Sequence, residues 1–140
     1  MTPRVVGKIP IDKTKINRIL VRATNWIGDA VMTIPTIEAI RKNFPSSHLT
    51  VLARPWVITL LENHPAVDRV IPFERGGGVI RDLEEIFRVV RIIRRSKFDM
   101  AVLLQNAFEA ALLAYCGILS HYSQGHGLGR QSRRSIYFYL

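Results

Sequence analysis

Residues 19–35 read ILVRATNWIGDAVMTIP, which is the pattern of a strand, a turn and a helix in succession. The aliphatic run that begins at Ile19 predicts a buried strand, and apolar residues recur at helical spacing beyond Asp29. In open α/β sheets, ligands bind where such turns leave the carboxyl ends of the strands. We therefore expect Asp29 to begin a helix at a ligand-binding edge. The neighbouring Gly28 permits either a positive φ or a close approach by another molecule.

The composition indicates one globular domain that carries a strong positive charge. The chain has 140 residues, of which 48% are hydrophobic, and its formal net charge is +9. A domain of this length buries a proper core, and the charge favours an anionic partner such as nucleic acid, anionic lipid or a phosphorylated small molecule. A single cysteine, Cys116, excludes an internal disulfide. We see no signal peptide and no segment long and apolar enough to span a membrane.

Strands alternate with helices along most of the chain. Strands are predicted over 18–23, 48–53, 68–71 and 98–104, and helices over 29–43, 80–96 and 106–115. A loop over 54–56 is expected to lead into a further short helix that ends at Leu61. This alternation predicts an α/β fold: a Rossmann-like parallel sheet flanked by helices, with the first and fourth strands adjacent. The two long helices are expected to bury the apolar residues Val31, Ile34, Ile37, Ala39 and Ile40, and Leu83, Ile86, Phe87, Val90 and Ile93.

Four segments follow one another in an order that is specific to one family. They are NWIGDAVMTIP at 25–35, VLARPW at 51–56, HPAVDRVIP at 64–72 and FDMAVLLQNAF at 98–108. Together they resemble the ADP-heptose:lipopolysaccharide heptosyltransferases, in particular the heptosyltransferase II group. The resemblance covers about residues 18–117. It divides the chain into a leader over 1–17, a Rossmann-like domain over 18–117 and an atypical basic and aromatic tail over 118–140.

The resemblance implies an inverting glycosyltransferase of the two-domain GT-B type, which transfers heptose from ADP-heptose to the lipopolysaccharide inner core. This chain then corresponds to the N-terminal, acceptor-binding half, and ADP-heptose binds a C-terminal domain that the sequence lacks. We expect the chain alone to be inactive, to need no cofactor or metal, and to lie at the cytoplasmic face of the inner membrane. Beyond Gly117 the sequence departs from the family pattern, which suggests a truncated or frame-shifted copy.

The resemblance assigns the role of catalytic base to Asp29. Inverting transfer needs one base to take a proton from the acceptor hydroxyl, and a single carboxylate is enough. The alternative is an acidic residue that complements the helix N-terminus. Asn25, Trp26 and Gly28 are expected to line the acceptor site, with Trp26 stacking on a sugar. Ordinary packing by Trp26 and an ordinary turn at Gly28 are the alternatives.

Three further residues are candidates for acceptor binding. Arg54 follows the second strand and can contact a phosphate, although a solvated loop arginine is the alternative. Gln105 and Asn106 follow the fourth strand and can bind acceptor hydroxyls or phosphate, or cap the next helix. Many family members carry a basic residue where this chain has Glu109, which weakens the case for an anionic ligand there. The glycines at 76–78 favour a flexible loop over a phosphate cradle, because the P-loop ending is absent.

Other functions remain as alternatives at this point. The helix predicted over 80–96 has a basic side, which is either a solvated surface or a contact with an anionic membrane. This basic side consists of Arg88, Arg91, Arg94, Arg95 and Lys97. A non-catalytic Rossmann-like module that binds a nucleotide or another anionic partner is the main alternative to an enzyme. Nucleic-acid binding is not expected, because the positive charge is dispersed and no recognition motif occurs.

Overall fold

A computed structural model describes residues 12–104 and 135–137. The described strands are β1 (Arg18–Arg22), β2 (His48–Ala53), β3 (Arg69–Pro72), β4 (Met100–Leu103) and β5 (Ser135–Tyr137). The described helices are α1 (Ile27–Asn43), α2 (Pro55–Leu61) and α3 (Val79–Ser96), and a 3-10 turn spans Lys13–Lys15. Every strand pair in this part of the chain is parallel.

The strand order is β3-β2-β1-β4-β5. In the centre, Val21 of β1 lies opposite Val51 of β2 and Val102 of β4. The predicted α/β fold is therefore confirmed, including the adjacency of the first and fourth strands. Pro72 is tolerated in β3 because that strand lies at an edge of the sheet, where its missing N–H breaks no ladder hydrogen bond.

Alternate residues of each central strand face opposite helices, as the period of a strand requires. Ile19 and Val21 of β1 pack with Ile37 of α1 in one hydrophobic cluster. Leu20, between them, packs with Ile93 of α3 in a second cluster. The sheet thus carries a core on each face, with α1 and α2 on one side and α3 on the other.

The buried face of α1 differs from the one that we predicted. Ile37 and Ile40 are buried as expected and Ile34 is partly buried, but Val31 and Ala39 are exposed. At 100° per residue, these two positions lie far from the row that contacts the sheet. The helix also begins two residues earlier than predicted and continues through Pro35.

The buried face of α3 is also shifted from the predicted one. Val89 and Ile93 are buried and Ile86 is partly buried. Leu83 and Phe87, which we expected to face inward, are 50% and 71% exposed. The apolar side of α3 is wider than its contact with the sheet, so part of it faces solvent.

The segment 135–137 forms an edge strand that the sequence pattern did not predict. Ser135 lies opposite Met100 of β4, and Tyr137 lies opposite Val102. The predicted helix over 106–115 falls outside the described residues, as do Gln105, Asn106, Glu109 and Cys116.

Candidate functional site

The loop that joins β1 to α1 is fixed by two side chains. Arg22 donates from Nη2 to Oδ1 of Asn25 over 3.0 Å. Trp56, on α2, donates from Nε1 to the backbone oxygen of Asn25 over 2.8 Å. Asn25 is therefore held between the first two βα units, and its side-chain oxygen already accepts one internal hydrogen bond. Its amide nitrogen is the group that remains for a ligand.

Asp29 is the third residue of α1 and is exposed. Its carboxylate makes no hydrogen bond or ion pair with any residue in the described ranges. It lies at the carboxyl edge of the parallel sheet, where ligands bind in such folds. A carboxylate that no internal donor occupies is chemically able to accept a proton from an incoming hydroxyl.

Two residues that precede Asp29 in the chain, Trp26 and Gly28, are open to solvent. Trp26 precedes the first turn of α1 and is 74% exposed. Gly28 does not adopt the positive φ that we considered, since within the described residues only Gly76 and Gly78 among the glycines do so. A Cβ at Gly28 would meet nothing within 4 Å. Gly28 thus leaves the surface beside Asp29 open without any special backbone conformation.

Arg54 lies at the carboxyl end of β2, between two aromatic rings. Its guanidinium carbon is 5.6 Å from the ring centroid of Phe73 and 5.9 Å from that of Trp56. The pairing of β2 with β3 explains this arrangement, because Ala53 lies opposite Pro72 and the next residue on each strand is Arg54 or Phe73. Stacking on aromatic faces is a favourable position for a guanidinium.

Arg22 belongs to the same cluster, although no sequence motif pointed to it. It is only 4% exposed, and its guanidinium carbon lies 5.4 Å from the centroid of the Phe73 ring. It also donates to the backbone oxygens of Ala23 and Leu52. The available signal was a charged residue in an otherwise apolar buried strand, since a buried charge requires specific partners.

The glycine loop before α3 is closed by an internal carboxylate. Oδ1 of Asp82 accepts hydrogen bonds from the backbone N–H groups of Gly76, at 2.9 Å, and Gly77, at 3.3 Å. The bond from Gly76 is the main cause that lowers the pKa of Asp82. The two N–H groups are thus already used, so the loop is not an open phosphate cradle.

Several predicted features cannot be placed in this site. Gln105 and Asn106 lie outside the described residues, so their position relative to Asp29 stays a prediction. Residues 12–104 contain no group of three or more His, Cys, Asp or Glu side chains arranged to hold a metal ion. Among the helices described, none has the length and apolar character needed to cross a membrane.

A cavity of about 600 Å³ lies away from the candidate residues, against α1 and β4. Thr36 and Ile40 line it from the helix, and Met100 and Val102 from the strand. Its walls are mostly apolar, and none of the candidate residues in the described part of the chain contributes to them. The cavity is therefore not the site that holds Asp29.

Comparisons with known proteins find similarity to heptosyltransferases. The lipooligosaccharide heptosyltransferase 2 of Haemophilus ducreyi is 29% identical over 104 residues, which are 74% of this chain and 29% of that protein. The structure of the E. coli ADP-heptose lps heptosyltransferase II matches 72% of this chain and 28% of its own, with a TM-score of 0.60 and 27% identity.

A glycosyl transferase family 9 structure from Veillonella parvula matches 72% of this chain and 29% of its own, with a TM-score of 0.66 and 26% identity. No protein-family profile matches the chain. The chain spans less than a third of the length of these relatives. Sequence and fold together confirm the resemblance that the motifs predict: about three quarters of the chain is similar to lipopolysaccharide heptosyltransferases.

Proposed function

We propose that the chain is the acceptor-binding, N-terminal half of an inverting heptosyltransferase of lipopolysaccharide core synthesis. The observation that carries the proposal is the exposed Asp29 carboxylate, which no described residue occupies, at the ligand-binding edge of a fold shared with heptosyltransferases. The donor, ADP-heptose, then binds a second domain that corresponds to the part of the relatives that this chain does not span.

The proposed reaction needs one base, Asp29, and one leaving group, ADP. The acceptor hydroxyl attacks the anomeric carbon of heptose while Asp29 takes the hydroxyl proton. A new glycosidic bond forms as the bond between the anomeric carbon and the diphosphate breaks, and ADP leaves with the electron pair. Attack opposite the leaving group inverts the anomeric carbon, so no covalent intermediate and no second carboxylate are needed.

The residues around Asp29 supply the acceptor side of this proposal. Trp26 offers an exposed ring on which a sugar can stack, and Asn25 offers an amide nitrogen for a hydroxyl. Gly28 leaves room for the sugar to approach α1. We assign Arg54, Gln105 and Asn106 to the acceptor site as well; the last two follow β4 in the sequence and lie outside the described residues.

Complementation tests the half-enzyme directly. The chain is mixed with the donor-binding part of the E. coli lipopolysaccharide heptosyltransferase 2, expressed separately, and transfer from ADP-heptose to a heptose-bearing inner-core acceptor is measured. We expect transfer only when both pieces are present. Absence of transfer, with a folded chain and a donor part that binds ADP-heptose, would instead favour the non-catalytic module.

We also propose that the protein contacts the anionic membrane surface through α3. The first half of this helix exposes the apolar residues Val79, Ile80, Leu83 and Phe87. Its last two turns and the residue that follows carry the cations Arg91, Arg94, Arg95 and Lys97. Arg88 of the predicted basic side is instead bound to Glu85. Each cation near an anionic bilayer contributes about 1 kcal/mol, and each buried large apolar side chain about 1.5–3 kcal/mol.

Vesicle sedimentation tests this contact. We expect the chain to sediment with phosphatidylglycerol vesicles and not with phosphatidylcholine vesicles, and Phe87→Ser to weaken the binding by about tenfold or more. Met32→Ser is the matched control, because Met32 is 79% exposed and its helix packs on the opposite face of the sheet. An equal loss in both variants would show that α3 is not the contact.

A further inference from the structure

We infer that Arg54 is the centre of a binding site for an oxyanion, a phosphate or carboxylate group carried by a substrate. The site lies at the carboxyl end of β2, and it includes the rings of Phe73 and Trp56 and the buried cation of Arg22. The inference deepens the proposed function and rests on it for the identity of the ligand as a substrate. The binding of an oxyanion itself can be measured without any transfer reaction.

The guanidinium of Arg54 is held in place before a ligand arrives. Phe73, on which it stacks, has no exposed surface, so that ring is fixed by the core. Trp56, the second ring, is fixed by its hydrogen bond to the backbone of Asn25. A cation that is already immobilised loses less conformational freedom on binding than a solvated surface arginine does.

Most hydrogen-bond donors of Arg54 meet no acceptor among the described residues. Its Nε atom is buried without an acceptor. Its Nη1 atom reaches only the backbone oxygen of Arg75, at a long 3.5 Å. Within the described part of the chain, no carboxylate lies on this guanidinium. Planar guanidinium groups with free donors bind phosphate and carboxylate through two parallel hydrogen bonds, so an oxyanion is the ligand that fits.

The surrounding charge favours the same ligand. Arg22 and Arg54 lie 5.4 Å and 5.6 Å from the centroid of one Phe73 ring, so two cations share a small region that is partly shielded from water. An anion bound at Arg54 would offset this concentration of positive charge, and the low local dielectric would strengthen the attraction. A neutral ligand would not offset the positive charge and would gain no such attraction.

The site lies close to the proposed catalytic edge. Trp56 donates to Asn25, and Asn25 lies four residues before Asp29 at the start of α1. The oxyanion therefore binds beside the loop that positions the base. Two substrate groups have this chemistry, an acidic group on the acceptor sugar and the diphosphate of the donor, and their binding can be compared directly.

Titration of the whole chain with inorganic phosphate, at constant ionic strength, tests the inference. We expect saturable binding that Arg54→Met weakens by about tenfold or more, and that Arg54→Lys weakens less because it keeps the charge but loses the planar fork. Arg69→Met is the matched control, since Arg69 is an exposed arginine at the opposite end of the neighbouring strand. We expect it to change binding less than twofold.

Comparison of a hexose 6-phosphate with ADP then distinguishes the two sources. Tighter binding of the sugar phosphate assigns the site to the acceptor, and tighter binding of ADP assigns it to the donor. Absence of saturable phosphate binding by the folded chain, or equal losses in Arg54→Met and Arg69→Met, would overturn the inference. Phosphate binding in a chain that never supports transfer would leave this site intact and refute the enzymatic function alone.

Discussion

Replacing Phe73 by leucine separates the packing of this ring from its role as a platform for two arginines. Phe73 is completely buried, and the guanidinium carbons of Arg22 and Arg54 lie 5.4 Å and 5.6 Å from its centroid. Leucine keeps the site apolar but has no π system. Phe98 is the matched control, because it is 2% exposed in the same hydrophobic cluster and has no such cation near its ring among the described contacts.

The expected loss of unfolding free energy has two contributions, from packing and from the cation–π contacts. A phenylalanine-to-leucine exchange in a close-packed core costs about 1–1.5 kcal/mol of unfolding free energy, and both variants lose this. Phe73→Leu also loses two cation–π contacts, each worth about 0.5–2 kcal/mol depending on how far the cation is desolvated. We therefore expect Phe73→Leu to be less stable than Phe98→Leu by about 1–4 kcal/mol.

Urea unfolding followed by circular dichroism measures both variants under the same conditions. In an Arg54→Met background, which removes one of the two contacts, the difference between the two leucine variants should become smaller. Equal unfolding free energies for Phe73→Leu and Phe98→Leu would refute the reasoning, because the stacked arginines would then contribute nothing. That result would also remove the fixed guanidinium on which the oxyanion site depends.

Two further predictions concern stability. Asp68→Asn should lower the unfolding free energy by about 1 kcal/mol, because the partly exposed carboxylate accepts hydrogen bonds from Leu49 and Arg41. Desolvation raises the pKa of Asp68, but these bonds outweigh it and lower the pKa overall. The Asp68 carboxylate therefore stabilises the fold above the ordinary carboxyl pKa, and this stabilisation is lost as the pH falls through the lowered pKa of the folded chain. The unfolding free energies of wild type and Asp68→Asn should thus converge at acid pH. Gly78→Ala should cost about 1–2 kcal/mol because its φ is +104°, whereas Gly28→Ala, helical and unobstructed, should be neutral or stabilising by up to about 1 kcal/mol in thermal unfolding.

The order of strands and helices could be predicted from the sequence, because strands and helices space their apolar residues differently. The predicted bounds of β2 match the structure, but α2 begins at Pro55, inside the segment 54–56 that we predicted as a loop. The adjacency of the first and fourth strands follows from the alternation of strands and helices. The start of α1 was missed because no side chain caps it. The backbone oxygen of Trp26 instead accepts the first helical bond, from the N–H of Ala30.

The faces of the long helices were less predictable, because apolar residues on them are more numerous than the sheet can cover. Phe87 and Val31 fit a helical period, yet both are exposed. The period identifies a helix, but only tertiary packing selects which row of residues is buried. The exposed part of α3 therefore became visible only in the structure.

The candidate site was predictable only in part. Asp29, Asn25 and Arg54 were proposed from motifs that follow strands, and the structure places each of them at the carboxyl edge, while their roles stay predictions. The contact of Arg54 with Phe73 depends on the register of β2 against β3, across 19 positions of sequence, which a single sequence does not reveal. Arg22 was missed because it lies inside an apolar strand that was assigned to the core.

The proposed role of Asp29 as the base of a glycosyl transfer is tested most directly by the transfer rate of Asp29→Asn in the complemented enzyme. We expect a loss of about 10²–10⁴-fold in kcat with a folded chain, since asparagine is isosteric but cannot take the proton. Glu62→Gln, which removes an exposed carboxylate at the far end of α2, should leave the rate unchanged. Full activity of Asp29→Asn, or equal losses in both variants, would contradict the claim.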